Sequence, residues 1–260
     1  MPMQKPSRLL PDDSHHLMAT DCVLPQVALW GKGMVCALKR TSGLNGWISN
    51  QKHISLQSVA LREGSRGFEE IEKEIPFMDQ SGGGVTFCGG EPLLHPEFLI
   101  DILKRCGQQG IHRVVDTTLL ARKETVDEVM RNCELLLIDL KSMDSTVHQT
   151  FCDVPNELIL ENIRRVAEAD FPYYIRIPLI EGVNADEKNI KLSAEFLASL
   201  PRHPEIINLL PYHDIGKGKH AKLGSIYNPK GYKMQTPSEE VQQQCIQILT
   251  DYGLKATIGG

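Results

Sequence analysis

The chain has 260 residues, 41% hydrophobic and 23% charged, with 28 basic against 33 acidic side chains and a formal net charge of −5. That length supports one sizeable core, and the acidic balance argues against a nucleic-acid footprint, which needs a basic stripe. No apolar run reaches the roughly 18–20 residues that span a bilayer, and Asp12, Asp13 and Asp21 interrupt any signal-peptide layout, so the chain reads as cytoplasmic.

Residues 1–66 show neither sustained helical nor alternating periodicity, and a short strand over Gln26 to Trp30 is the one candidate element. From residue 67 onward, short apolar strands alternate with amphipathic helices. Gly84 to Phe87 reads as a strand, followed by a helix from about Pro96 whose apolar face carries Phe98, Leu99, Ile102, Leu103 and Cys106. A strand at His112 to Asp116 precedes a helix opened by Thr125 with Glu128 three residues on, a capping-box pattern. Leu135 to Lys141 (LLLIDLK) reads as a buried strand and Leu158 to Ala169 as a helix. Tyr173 to Ile180 is a strand, after which Asn184 with Glu187 opens a helix. Ile206 to His213 is the fifth strand. A last helix starts at Thr236-Pro237-Ser238-Glu239, turns Val241, Cys245, Ile246, Leu249 and Tyr252 inward, and stops at Gly253.

This alternation predicts a parallel α/β architecture with right-handed crossovers, either an open doubly wound sheet or a full or partial barrel. In both, ligand chemistry collects at the C-terminal strand ends. Those ends carry Gly89-Gly90-Glu91, Asp116-Thr117, Asp139 with Lys141, Arg176, and Tyr212-His213-Asp214. Polar endings in five strands together point to a site.

Each of these residues has two readings. Paired glycines followed by Glu91 suit a ligand ammonium, or make a tight turn with a surface carboxylate. No Walker or GxGxxG pattern is present, so the turn is not a phosphate cradle. Asp139 and Lys141, two apart on an apolar strand, share a face and match either a ligand or each other. Arg176 suits a carboxylate or a buried ion pair. His213 alone is a loop histidine. The seven cysteines are odd in number and widely spaced, with no CxxC pair, as in reduced thiols rather than a disulfide framework or a metal cassette.

Together GGGVTFCGGEPLLHPEF, VVDTT, LLLIDLKSM, YYIRIPLIEGVN and INLLPYHDIGKGKH resemble the glycyl radical enzyme activating enzymes, typified by pyruvate formate-lyase activating enzyme, of the radical S-adenosylmethionine (SAM) superfamily. The resemblance runs from about residue 67 to the C-terminus and implies a partial (β/α)6 barrel, with residues 1–66 an atypical segment. It implies a [4Fe–4S] cluster, an electron donor, and reductive cleavage of SAM to a 5′-deoxyadenosyl radical. That radical abstracts hydrogen from a glycine of a partner glycyl radical enzyme. By motif, Gly89, Gly90 and Glu91 match the clamp on the SAM amino group. Asp116, Thr117 and the Leu137 carbonyl match a monovalent-cation site, with Asp139 contributing. Lys141 and His213 match SAM-contacting positions, and Arg176 a charged position in the same site. Cys88 stands where serine is usual, and Thr118-Leu119 replaces Asn-Gly.

The cluster needs cysteine thiolates on a CxxxCxxC loop after the first strand, and no CxxxCxxC occurs in the sequence. The expectation is therefore a barrel whose first strand and cluster loop are missing or replaced, as a frame error or truncated reading of residues 1–66 would produce. Such a chain is inactive by itself, and the alternative is a cluster-free SAM-binding or partner-binding protein. An absent first strand further predicts an open sheet edge, and with it marginal solubility or an oligomer that covers the edge.

Overall fold

The computed structural model describes residues 34–40, 47–48, 53–55, 65–88, 91–213 and 231–259. The segment Gln26 to Trp30, the glycines 89 and 90, and Asp214 lie outside the described residues.

In chain order, β1 (Met34–Arg40), β2 (Trp47–Ile48) and β3 (His53–Ser55) precede α1 (Ser65–Glu72) and α2 (Ile75–Ser81). Then come β4 (Gly84–Cys88), α3 (Pro96–Gln108), β5 (His112–Thr117), α4 (Lys123–Met130) and β6 (Leu135–Asp139). Next are α5 (Ser145–Cys152), α6 (Glu157–Glu168), β7 (Tyr173–Leu179), α7 (Glu187–Ala198) and β8 (Ile207–Pro211). The last elements are α8 (Glu239–Asp251) and β9 (Ala256–Ile258).

All nine strands among the described residues join one sheet, in which β4 to β9 are parallel and neighbours in sequence order. A doubly wound sheet reverses its strand order partway; this one never does. Every crossover therefore steps in the same direction and leaves its helix on one face. The result is a six-stranded partial barrel with helices outside. Five strands are legible in the sequence. The sixth, β9, is only three residues long and pairs with β8 through Ile207↔Ala256 to Leu209↔Ile258.

The first edge is not open. β1 runs antiparallel to β4, from Met34↔Cys88 to Leu38↔Gly84, and its outer side pairs with β2 and β3. The expected first strand is thus replaced by an antiparallel ribbon that satisfies the backbone groups of β4, which removes the reason to expect association through that edge. Gly84 has no room for a side chain: a Cβ there would lie 2.2 Å from the His112 carbonyl oxygen on β5.

The two faces of the parallel sheet differ as register dictates. One row, Phe87, Val115, Leu136 and Tyr173, is fully buried under the helices with Ile138, Ile175 and Ile177. Residues one position along face the other way, and they include Asp116, Asp139, Arg176 and Asn208.

Several local expectations change. Helix α4 begins ahead of Thr125, with Arg122 as its cap and no side-chain capping bond. Asp186, not Asn184, caps α7, accepting from the Asn189 amide at 3.0 Å. Within the expected start at Thr236-Pro237-Ser238-Glu239, Ser238 caps α8, accepting from Val241. Within α8, Cys245 and Leu249 are buried, but Tyr252 is at the surface, its hydroxyl donating to Glu195 at 3.1 Å. Helix α5, absent from the sequence reading, is capped by Asp144, which accepts from Thr146 and Val147.

His148 of α5 is buried and its Nδ1 lies 2.6 Å from the Val154 carbonyl, so Nδ1 carries the proton. Burial lowers its pKa below 6.5, the Val154 bond opposes this, and Lys141 adds to the lowering. The native state then binds this proton less readily than the unfolded chain. Its contribution to stability is complete above pH 6.5 and is lost as pH falls toward the folded value. Urea midpoints measured from about pH 7.5 to 5.5 should fall in the parent and fall less in His148→Gln; equal slopes would refute this.

Candidate functional site

Glu91 follows β4 and opens a short 3-10 turn, Pro92–Leu94. It is only 8% exposed, and both oxygens are filled. Oε1 accepts from the Leu93 amide (3.1 Å) and Thr117 Oγ1 (2.6 Å); Oε2 accepts from the Thr118 amide (2.8 Å) and Thr118 Oγ1 (2.5 Å). Four donors match the capacity of a carboxylate. Burial raises its pKa, and the bonds from Thr117, Thr118 and Leu93 oppose that rise. The clamp position is therefore a buried, fully hydrogen-bonded carboxyl group and not a surface one.

Thr117 and Thr118 reach Glu91 because the chain turns sharply after β5. Leu119 takes φ 60°, the left-handed region where glycine is usual. The backbone penalty for a leucine is roughly 1–2 kcal/mol. Its side chain is fully buried, and that burial returns about 1.5–3 kcal/mol, so packing sustains the conformation. Asn162 holds the turn from α6, donating to the Leu119 (2.9 Å) and Ala121 (2.8 Å) carbonyls. Thr118-Leu119, standing in place of Asn-Gly, thus makes a left-handed turn, and the Thr118 hydroxyl bonds Glu91 in addition to the backbone amide.

The charged centre lies on the inner face. Asp139 on β6 is in register with Arg176 on β7, and Asp116 on β5 is in register with Leu137. Arg176 Nε donates to Asp139 Oδ1 at 3.0 Å, while its Nη2 bonds to Asp116 and lies 2.9 Å from Asp139. The ion pair that the sequence left open for Arg176 is formed, with two acids. Arg176 is not at a strand end as expected but at mid-strand, because β7 extends three residues beyond it. The layer climbs from the end of β6 to the second residue of β8, Asn208, as strand stagger in a barrel requires. Asn208, which donates to the Gly259 carbonyl at 2.8 Å, belongs to this layer and was not singled out in the sequence.

One guanidinium faces two carboxylates. Burial pushes the Asp116 carboxyl up, Arg176 opposes this, and the charge of Asp139 adds to it. Burial works against the Arg176 charge, but Asp116 and Asp139 together outweigh it and hold the group firmly protonated. Asp139 Oδ2 is buried with no hydrogen-bond partner among the described residues.

Lys141 is 4% exposed and lies two residues past Asp139, where β6 has ended. His213 is exposed just beyond β8 and is not part of the buried centre. Among the described residues no three Cys, His, Asp or Glu side chains converge as a metal site. Cys106 and Cys133 are buried, and burial pushes their thiols up to about 12, which makes them inert packing residues. The donor set described here does not fit a [4Fe–4S] cluster. No helix among the described residues is long and apolar enough to cross a membrane.

An inner polar layer in a single-direction parallel partial barrel defines a class, and comparison agrees: residues 52–192 match the Radical SAM superfamily, to which the chain belongs. It is 36% identical over 216 residues to the trans-4-hydroxy-L-proline dehydratase activating enzyme of Clostridioides difficile, covering 82% of this chain and 69% of that one. To the pyruvate formate-lyase 1-activating enzyme of Escherichia coli K12 it is 34% identical over 193 residues, 72% and 77% of the two chains. A crystal structure of a domain of pyruvate-formate lyase-activating enzyme from Bacteroides vulgatus ATCC 8482 is 89% identical, covers 68% of this chain and 99% of that domain, and superposes with a TM-score of 0.60. Within the superfamily the chain therefore groups with the glycyl radical enzyme activating enzymes.

Proposed function

We propose that residues 67–260 form the SAM-binding barrel of a cytoplasmic glycyl radical enzyme activase, with residues 1–66 an atypical segment whose β1 to β3 extend the same sheet. The partner is a glycyl radical enzyme of the pyruvate formate-lyase kind, and the family's electron donor is its reductant. The observation that carries this is the inner layer itself. The Arg176 guanidinium there bonds Asp116 and Asp139, with buried Glu91 following β4 and buried Lys141 just past the end of β6. SAM's amino-acid end is a zwitterion. Its ammonium suits the Gly89-Gly90-Glu91 turn, where Glu91 supplies charge and shapes the turn while the glycine carbonyls offer acceptors. Its carboxylate suits Lys141 and Arg176, with His213 closing from the β8 end. Asp116, Thr117 and the Leu137 carbonyl would hold a monovalent cation, and Asp139 Oδ2, which has no hydrogen-bond partner among the described residues, is a further oxygen for it.

A second reading, a cluster-free SAM-binding or partner-binding protein, is favoured by one observation: the sequence contains no CxxxCxxC. Two measurements on the full chain separate these readings. Calorimetric titration with SAM should show saturable binding under the activase reading; no binding removes it and leaves only a partner-binding protein. Anaerobic reconstitution should leave well below the roughly four irons per chain of a [4Fe–4S] centre. Four irons with the matching spectrum would instead restore the complete activase.

A further inference from the structure

Asn184 is 1% exposed and bonds to two separate backbone segments. Its Nδ2 donates to the carbonyls of Lys141 (2.7 Å) and Pro178 (2.6 Å), and its Oδ1 accepts from the Ile180 amide (2.9 Å). Its own carbonyl accepts from Asn189 Nδ2 at 2.9 Å, and Asn189 Oδ1 accepts from the Met143 amide at 2.9 Å. From the opposite side Asn156 Nδ2 donates to Ser142 (2.9 Å) and Met143 (3.0 Å) carbonyls.

This arrangement matters because the sheet no longer governs Lys141. The β6–β7 ladder gives its last bond at Leu140, whose amide donates to the Arg176 carbonyl at 2.9 Å. Beyond that point the backbone is held by asparagine side chains. Of the three, only Asn184 grips the Lys141 peptide itself, and its other donor bond goes to Pro178, two residues along the strand from Arg176. Asn184 thus adds, beside the Leu140–Arg176 backbone bond, a side-chain tie between the Lys141 peptide and the strand that bears Arg176. A helix cap would have needed only its side-chain oxygen; here both ends of the amide are used.

We propose that Asn184 is a positioning residue: it fixes Lys141 relative to Arg176 so that both cations address one anionic group of the bound ligand. The identity of that group as the SAM carboxylate rests on the reading above. An aspartate at position 184 has the same shape but turns an oxygen toward two carbonyl oxygens, which breaks the tie.

The test uses the full chain with Asn184→Asp, Lys141→Met, the double variant, and Asn156→Ala as a variant that loosens the same loop without touching the Lys141 peptide. Two readouts are taken: calorimetric SAM affinity, and the carbon-13 methyl resonance of Lys141 after reductive methylation, assigned by its loss in Lys141→Met. Asn184→Asp should weaken SAM binding about tenfold, the scale of one lost supporting bond to a charged site. In the double variant it should add nothing to Lys141→Met, the non-additivity of residues acting as one unit. The Lys141 resonance should move in Asn184→Asp and not in Asn156→Ala. Additive losses, or an unmoved resonance in a folded Asn184→Asp, overturn the proposal. A moved resonance in a chain that binds no SAM upholds the placement of Lys141 and refutes the SAM reading alone.

Discussion

Replacing Arg176 with methionine should destabilise the protein by about 3–5 kcal/mol, the usual consequence of removing one partner from a buried ion cluster. The two carboxylates that Arg176 now bonds, Asp116 and Asp139, would face each other with no cation on the inner layer's guanidinium position. Asp139 is the more enclosed, 1% exposed against 15% for Asp116. Without the guanidinium, each carboxylate raises the pKa of the other. The sign follows. A carboxyl whose folded pKa exceeds its unfolded value of about 3.9 supports the native state at low pH and withdraws that support as pH rises through the folded value. The deficit of Arg176→Met relative to the parent should therefore be smallest near pH 5 and grow toward pH 8, as read from urea midpoints. Arg176→Lys should recover only part of the loss, since one ammonium lacks the planar fork that reaches both acids. A deficit that does not depend on pH would show that Arg176 acts through packing and not through charge.

Glu91→Gln should separate the two roles of the turn. Glutamine keeps the shape but offers one carbonyl oxygen where the carboxylate offers two. Two of the four donors, a backbone amide and a threonine hydroxyl on whichever side receives the NH2, then meet another donor. A hydroxyl can rotate and accept; an amide cannot. One orphaned buried N–H carries a penalty of about 1–3 kcal/mol. Relief from burying a charge, which now raises the Glu91 pKa, offsets part of that. SAM affinity should fall further than stability suggests, by about ten- to a hundredfold, the range of an interaction with a charged group. Unchanged SAM affinity in a folded Glu91→Gln would mean that the ammonium is held without help from this charge.

How much of this was legible without coordinates varies by element. β5 to β8 were readable because strands buried on both faces are continuous apolar runs, and LLLID or YYIRIPL admit little else. β9 has three residues, too few for any period to register. Helix α5 is short and buries little beyond His148, so its apolar stripe is weak. The cap of α7 was misplaced because Asn184 and Asp186 are both capping residue types. The choice between them depends on carbonyls at Lys141 and Pro178 that Asn184 meets only in the folded chain. The site residues were readable as types at strand ends, but not as partners. Nothing in the interval between Asp116 and Arg176 says that a guanidinium sixty residues away will bond that acid.

The sequence by itself determined the alternation of elements, the left-over polar residues on otherwise apolar strands, and the absence of a CxxxCxxC run. These follow from local chemistry: burial forces the apolar positions, and a charge among them needs a reason to stay. Tertiary structure alone decided three further matters: that strand order never reverses, that Arg176 sits between two acids, and that Glu91 has no free oxygen. Each depends on register between strands, where a shift of one residue would turn Asp116, Asp139 and Arg176 from the inner layer into the helix-covered core.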